Sequence, residues 1–146
     1  MNAIDFLVKE HDRVRKLLTN ICDKSHRYET KRKMFEALGD DLIRHETMEH
    51  RVWYPHLRNN RQLNEEVKHL LKEENYAERE IRHLSEIKNE SVWEEHFASF
   101  KKNVEHHAKE EERELFPEVQ KLFSTDELET IGSEMYNFKR QYHRHH

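Results

Sequence analysis

His45 and Glu49 stand four residues apart, and His107 and Glu111 repeat that spacing sixty-two residues further on. After each pair come two large apolar residues and a proline, in RHETMEHRVWYPHL (44–57) and in HHAKEEERELFPEV (106–119). Residues four apart on a helix differ by about 40° around its axis and about 6 Å along it, so a His and a Glu so placed can reach one ion together. Imidazole with carboxylate is the donor mixture that iron, manganese and zinc accept. The repeated phrase reads as two half-sites facing each other across a pseudo-twofold axis.

Four amphipathic stretches must position these groups. Ile4, Leu7, Val14, Leu18 and Ile21 recur in steps of three and four, the mark of a helix with one buried face, and His11 sits in the gap. The stripe Phe35, Leu38, Leu42 and Val52 has His45 and Glu49 in its gaps. Val67, Leu70, Ala77, Ile81 and Leu84 are interrupted by Glu74, and Phe97, Phe100 and Val104, with Leu115 beyond, by His107 and Glu111. His11, His45, Glu49, Glu74, His107 and Glu111 are thus expected to point inward at similar height. Burying them uncompensated would cost several kcal/mol for each charge, more than a domain of this size can spare. Either they hydrogen-bond one another across the bundle, or a metal neutralises them; the repetition favours the metal.

Breaks in the pattern near 24–30, 59–64, 89–91 and 123–124 separate the stretches. Two carry capping boxes, Ser91 with Glu94 and Ser124 with Glu127, which place helix starts at 92 and 125. Short connections between long helices favour antiparallel neighbours. The predicted fold is all-α, an up-down-up-down four-helix bundle over about 3–122 with a short fifth, C-terminal helix over about 125–142.

Bulk properties agree with one such domain, 1–146. Two glycines and two prolines leave almost no turn chemistry for a sheet, and the 38% of charged residues are mostly good helix formers. A net charge of -4 without a basic stripe argues against nucleic acid or an anionic membrane as partner. No apolar stretch approaches the ~20 residues that span a bilayer. Cys22, the single cysteine, cannot form an internal disulfide and reads as a small buried or half-buried residue. The start MNAIDFLVKEHD lacks a basic n-region and an apolar run, so the expected setting is the cytoplasm. His143, His145 and His146 read as a frayed tail.

His11 in KEHD, His45 and Glu49 in HETME, and His107 and Glu111 in HAKEE followed by LFP resemble the hemerythrin-like, or HHE cation-binding, family over roughly 3–122. The resemblance implies two non-haem irons: His11 and His45 would serve one, His107 with a third-helix ligand the other, and Glu49 and Glu111 would bridge them. Manganese or zinc would suit the same donors. Where the family usually has a histidine on the third helix, this chain has Glu74 followed by Asn75. His69 and Glu73 fall off the core face by about a quarter to a third of a turn or more, so the ligand is expected to be Glu74, with His69, Glu73 and Asn75 as alternatives. Carboxylate in place of imidazole makes the site harder and favours ferric iron, and leaves open a mononuclear or mixed-metal site.

Other residues invite a blander reading. His56 lies one heptad beyond Glu49 with Glu118 as its duplicate, and the two read as a supporting His and Glu pair near the bundle end. Glu46 and His50 point about 100° from the ligands, as surface or supporting groups. Trp53, Tyr54, Leu115 and Phe116 read as packing, while Pro55 and Pro117 should kink or end their helices. The implied function is a diiron protein meeting dioxygen, nitric oxide or peroxide as sensor, scavenger or iron handler, a monomer or weak homodimer. A carboxylate-rich diiron redox enzyme of peroxidase-like activity is the alternative. A metal-free helical interaction module is a third.

Overall fold

The computed structural model describes residues 1–142, and the histidines at the chain end lie outside the described residues. Helix α1 spans Ala3–Ile21. Helix α2 runs from Tyr28–Met48 through a π-helical turn, Glu49–Trp53, into Tyr54–Arg58. Helix α3 spans Arg61–Glu86. Helix α4 runs from Glu90–Glu110 through a second π-helical turn, Glu111–Leu115, into Phe116–Leu122, and α5 spans Thr125–Gln141. The first four helices form the bundle, and α5 packs on α1 and α2. No strand occurs among the described residues. No helix among them is long and apolar enough to cross a membrane.

Asparagine side chains start three of the helices by accepting an orphan amide of the first turn: Asn2 from Asp5, Asn60 from Gln62 and Asn89 from Val92. Helix α4 therefore begins two residues before the expected start at 92. Ser91 makes no cap because Asn89 has already taken the position. The Ser124 and Glu127 box is present and starts α5 at the expected residue.

Both proline-bearing helices continue where the sequence suggested a kink or an end. A proline lacks the amide for a normal helical bond, and its ring clashes with the carbonyl four residues back. The π-helical turns absorb both problems by widening the backbone before Pro55 and Pro117, with Tyr54 and Phe116 donating five residues back to the carbonyls of Glu49 and Glu111. Each turn inserts one residue and shifts the inward face. Beyond Glu49 the buried residues are Trp53, Tyr54 and Leu57; beyond Glu111 they are Leu115, Phe116 and Val119. Val52 is left half-buried and His56 exposed. Cys22 is also exposed, one residue past buried Ile21 and so rotated about 100° out.

Two apolar clusters fill the bundle. One gathers Leu7, Met48, Trp53, Leu70 and Leu115 with the inner face of α5; the other gathers Val14, Leu42, Phe35, Trp93 and Phe100. Every bundle helix passes from one cluster to the other through a polar residue. His11 lies between Leu7 and Val14, His45 and Glu49 around Met48, Glu74 between Leu70 and Ile81, and His107 and Glu111 between Phe100 and Leu115. The polar layer is sealed above and below by hydrocarbon.

Candidate metal centre

All six residues singled out from the stripes meet in this layer. His11, His45, Glu49, Glu74 and Glu111 are buried and His107 nearly so. Their donor atoms form two overlapping groups, each within 4.8 Å: His11, His45 and Glu111, and Glu49, Glu74, His107 and Glu111. Glu111 belongs to both. Its Oε1 lies 3.4 Å from His11 Nε2 and 3.3 Å from His107 Nε2, and Glu49 Oε1 lies 3.0 Å from His45 Nε2.

The third helix contributes Glu74 to the layer, as its register predicted. Tyr54 donates its hydroxyl to Glu74 Oε2 at 2.6 Å, His50 Nε2 is 2.8 Å from Oε1, and His107 Nε2 is 3.0 Å from Oε2. His69, Glu73 and Asn75 lie outside the layer. His69 is exposed and pairs with Glu110, Asn75 is exposed, and Glu73 accepts from His107 Nδ1 at 2.9 Å from outside.

Each imidazole has its outer nitrogen against a carboxylate that no stripe contains. His11 Nδ1 is 2.8 Å from Glu112, His45 Nδ1 is 3.3 Å from Glu10, and His107 Nδ1 is paired with Glu73. Such partners hold the ring and turn its inner nitrogen toward the carboxylates of the layer, where a cation would bind. They are held in turn: Arg15 clamps Glu112 with bonds of 2.7 and 3.1 Å, and Lys139 of α5 reaches Glu10. Reading the stripes missed Glu10 and Glu112 and weighed Glu73 only as an alternative ligand, although a signal exists. Glu10, Glu73 and Glu112 are the sequence neighbours of His11, Glu74 and Glu111, so each is turned about 100° from its helix's inward face, toward a histidine of the adjoining helix.

Other expectations change. His50 is half-buried and supports Glu74 directly, the supporting role of its two readings. Glu46 is buried and faces the cavity beside the layer. His56 pairs with Glu134 of α5 at 3.0 Å and Glu118 with Lys121, so the expected His56 and Glu118 pair does not form. The inserted residue of the π-helical turn carries His56 off the inner face. Trp53, Tyr54, Leu115 and Phe116 are core residues as expected, with Tyr54 adding its bond to Glu74.

Charge in this layer is strongly biased. Burial and the nearby carboxylates of Glu111 and Glu74 push Glu49 well above the ordinary range. Burial also works to raise Glu111 and Glu74, but adjoining imidazoles outweigh it. His107 and His11 hold Glu111 well below the usual range, and His107 and His50 hold Glu74 at about 2. Burial opposes the protonation of His11, yet the carboxylates of Glu111 and Glu112 raise it to about 8. His107 is raised in the same way by Glu111, Glu73 and Glu74.

A metal fits what remains unpaired. His11 Nε2 and both carboxylate oxygens of Glu49 and of Glu111 are buried without a hydrogen-bond partner, and all three residues belong to the two donor groups. Buried polar atoms left unmatched each cost about 1–3 kcal/mol, so five in one layer call for a common partner. Cations between these atoms would satisfy them together. A cavity of about 500 Å³ opens beside the layer; Val14, Leu18, Leu42 and Val104 line it, and His69, Tyr76 and His106 of α3 and α4 edge it.

The sequence profile of the Hemerythrin HHE cation binding domain matches residues 2–119. Neither a curated protein nor a solved structure matches the chain. The matched span takes in α1, α2, α3 and all but the last turn of α4, and stops before α5. With the helical bundle and its buried His and Glu groups, that match means the chain belongs to the hemerythrin family of HHE cation-binding domains.

Proposed function

We propose that the protein holds two non-haem irons in the polar layer and meets dioxygen, nitric oxide or peroxide there, as a sensor, scavenger or iron-handling protein. The observation that carries this reading is the pair of donor groups sharing Glu111, with five inward atoms that make no hydrogen bond. His11, His45, Glu49, Glu74, His107 and Glu111 are the proposed ligands. Two irons so held would supply one-electron chemistry and open positions to a small oxidant. The chain's own part is to orient: Glu112, Glu10 and Glu73 hold the three imidazoles, and Tyr54 and His50 hold Glu74. The apolar clusters keep bulk water from two sides, and the cavity gives a small molecule its way in.

The donors are three imidazoles and three carboxylates, an anionic mixture that favours ferric iron and also suits manganese or zinc. The proposed setting is the cytoplasm, without a nucleic-acid or membrane partner. Exposed large apolar side chains other than Met1 stand singly on three helices, Tyr76, Val92 and Tyr136, which supports a monomer or weak homodimer.

Elemental analysis of untagged protein tests the metal, beside visible spectra in air and after anaerobic reduction. About two irons per chain are expected, with charge-transfer bands that change on exposure to oxygen. Zinc alone, or no metal with full stability in chelator, would sink the diiron reading and favour a metal-free interaction module.

Tyr54 favours a second reading, a redox enzyme consuming peroxide. Its buried hydroxyl donates to Glu74 Oε2 and keeps a proton beside the centre, where a bound oxidant could accept one. On this reading the iron-loaded protein consumes peroxide steadily, and Tyr54→Phe slows it about 10²-fold, the scale of one acid-base group, with both proteins compared at saturating iron. Equal rates in the two proteins would remove the role for Tyr54.

A further inference from the structure

A second His and Glu constellation lies outside the polar layer, on the facing surfaces of α3 and α4. His69 and Glu73 are four apart on α3, and His106 and Glu110 are four apart on α4. This is the spacing of the inner phrase, set one residue earlier on α4 and so turned about 100° toward the bundle surface. His69 Nε2 lies 3.0 Å from Glu110 Oε2 and 3.4 Å from Glu73 Oε2. His106 Nε2 lies 3.4 Å from Glu110 Oε1 and 3.8 Å from Glu73 Oε2. Donors bound at about 2.1 Å to a tetrahedral metal stand roughly 3.4 Å from one another, which is the scale of these separations.

We infer that His69, Glu73, His106 and Glu110 form an outer site for a single divalent transition-metal cation, at the rim of the cavity beside the inner layer. Two imidazoles among the carboxylates distinguish the cluster from an ordinary acidic surface patch, which water solvates. Donor atoms of His69, Glu73 and Glu110 lie within 4.8 Å of one another, and His106, outside that group of three, reaches Glu110 Oε1 at 3.4 Å. Glu110 Oε2 is buried and makes no hydrogen bond despite its 3.0 Å approach to His69. Carboxylate oxygens hidden from water and unmatched by donors are what a cation would satisfy.

The position has a consequence for the inner centre. Glu73 has one oxygen in each place: Oε1 accepts from His107 Nδ1 at 2.9 Å, and Oε2 faces His69 and His106. A cation at the rim would thus sit one carboxylate away from a proposed inner ligand. His69, Glu73 and His106 also line the cavity, so an ion entering by it meets the outer donors first. Borderline cations suit the set, Fe²⁺, Co²⁺ or Zn²⁺, since imidazole with carboxylate is their donor mixture.

The test compares the full chain with its His69→Ala/His106→Ala variant. Both side chains are exposed, 54% and 67%, so their loss leaves the bundle core untouched. Each protein, loaded with iron, is dialysed against Co²⁺, and bound iron and cobalt are counted together with the visible bands of four-coordinate Co²⁺. The expected result is about one more Co²⁺ per chain in the wild type, bound at least about tenfold more tightly than any in the variant, with equal iron in both. The terminal histidines are common to both chains and cancel in the difference. Equal cobalt in the two proteins overturns the outer site. The comparison is repeated on iron-free protein, so an empty inner centre with a persisting difference of one Co²⁺ would sink the diiron reading alone.

Discussion

Glu74 is held by three partners at once, Tyr54, His50 and His107. A carboxylate accepts on two oxygens and can satisfy such a set while keeping lone pairs for an ion, whereas one imidazole nitrogen could not. The neighbouring Glu73 has a different task, since it touches only the outer nitrogen of His107 within the centre. Glu74→Ala should therefore reduce iron to about one per chain or less, by loss of a proposed ligand. Glu73→Ala should weaken iron affinity by about 10–100-fold, the usual scale for a supporting partner, and still load fully at excess iron. Elemental analysis of the two variants after saturation separates these outcomes. Equal loss in both would mean that α3 serves the centre through another residue.

At the scale of elements, the helix starts and the π-helical turns carry the argument. Asn89→Ala should cost about 1 kcal/mol, the ordinary worth of an N-cap, while Ser91→Ala should cost almost nothing. Chemical denaturation of both variants checks this, and the reverse order would restore a start at 92. Periodicity made the helices and the level of the six inward groups legible, because an apolar stripe with polar gaps places those gaps directly. The π-helical turns were not legible. A proline announces a disturbed helix without saying whether the chain bends, stops or widens, and widening moved the inward face from Val52 and His56 to Trp53, Tyr54 and Leu57. Both turns begin at the shared or facing carboxylates, Glu49 and Glu111, so the same insertion that accommodates the proline brings Tyr54 inward to Glu74. The orienting roles of Glu10, Glu73 and Glu112 escaped for another reason. Their partners lie on other helices, and no spacing within one helix reveals a contact across two.

The whole molecule ties α5 to the centre and sets its stability against pH. At Gly132 a Cβ would lie 2.4 Å from the Met1 carbonyl oxygen, so α5 approaches α1 through the space a side chain would fill. At Gly39 the nearest atom would be the Ile81 Cγ2, at 3.2 Å and movable. Gly39→Ala should thus be neutral or gain up to about 1 kcal/mol from helix propensity. Gly132→Ala should lose about 1–3 kcal/mol by overpacking, and denaturant midpoints distinguish the two. In the metal-free protein, His11 is raised from 6.5 to about 8 and His107 is raised further in the same sense. The His11 contribution is complete below pH 6.5 and is lost as pH rises through 8, a shift worth about 2 kcal/mol, and that of His107 runs in the same direction. Glu49, raised by burial, adds a cost in the same direction that grows from pH 4.5 upward, where the unfolded chain ionises it and the folded protein resists the charge, and buried Glu46 does the same. Glu74, lowered to about 2, and Glu111, also lowered, act oppositely: their contribution is present above pH 4.5 and lost as pH falls toward 2. Metal-free protein should be most stable at about pH 4.5–5, and lose stability from there upward. Metal reverses the alkaline limb, since it binds the same imidazoles and carboxylates only when they are deprotonated and its hold tightens as pH rises. The gap in Tm between iron-loaded and chelator-treated protein should therefore widen from about pH 6 to about pH 8. A gap that stays constant or narrows over that range would mean that these histidines do not bind the metal as neutral imidazoles.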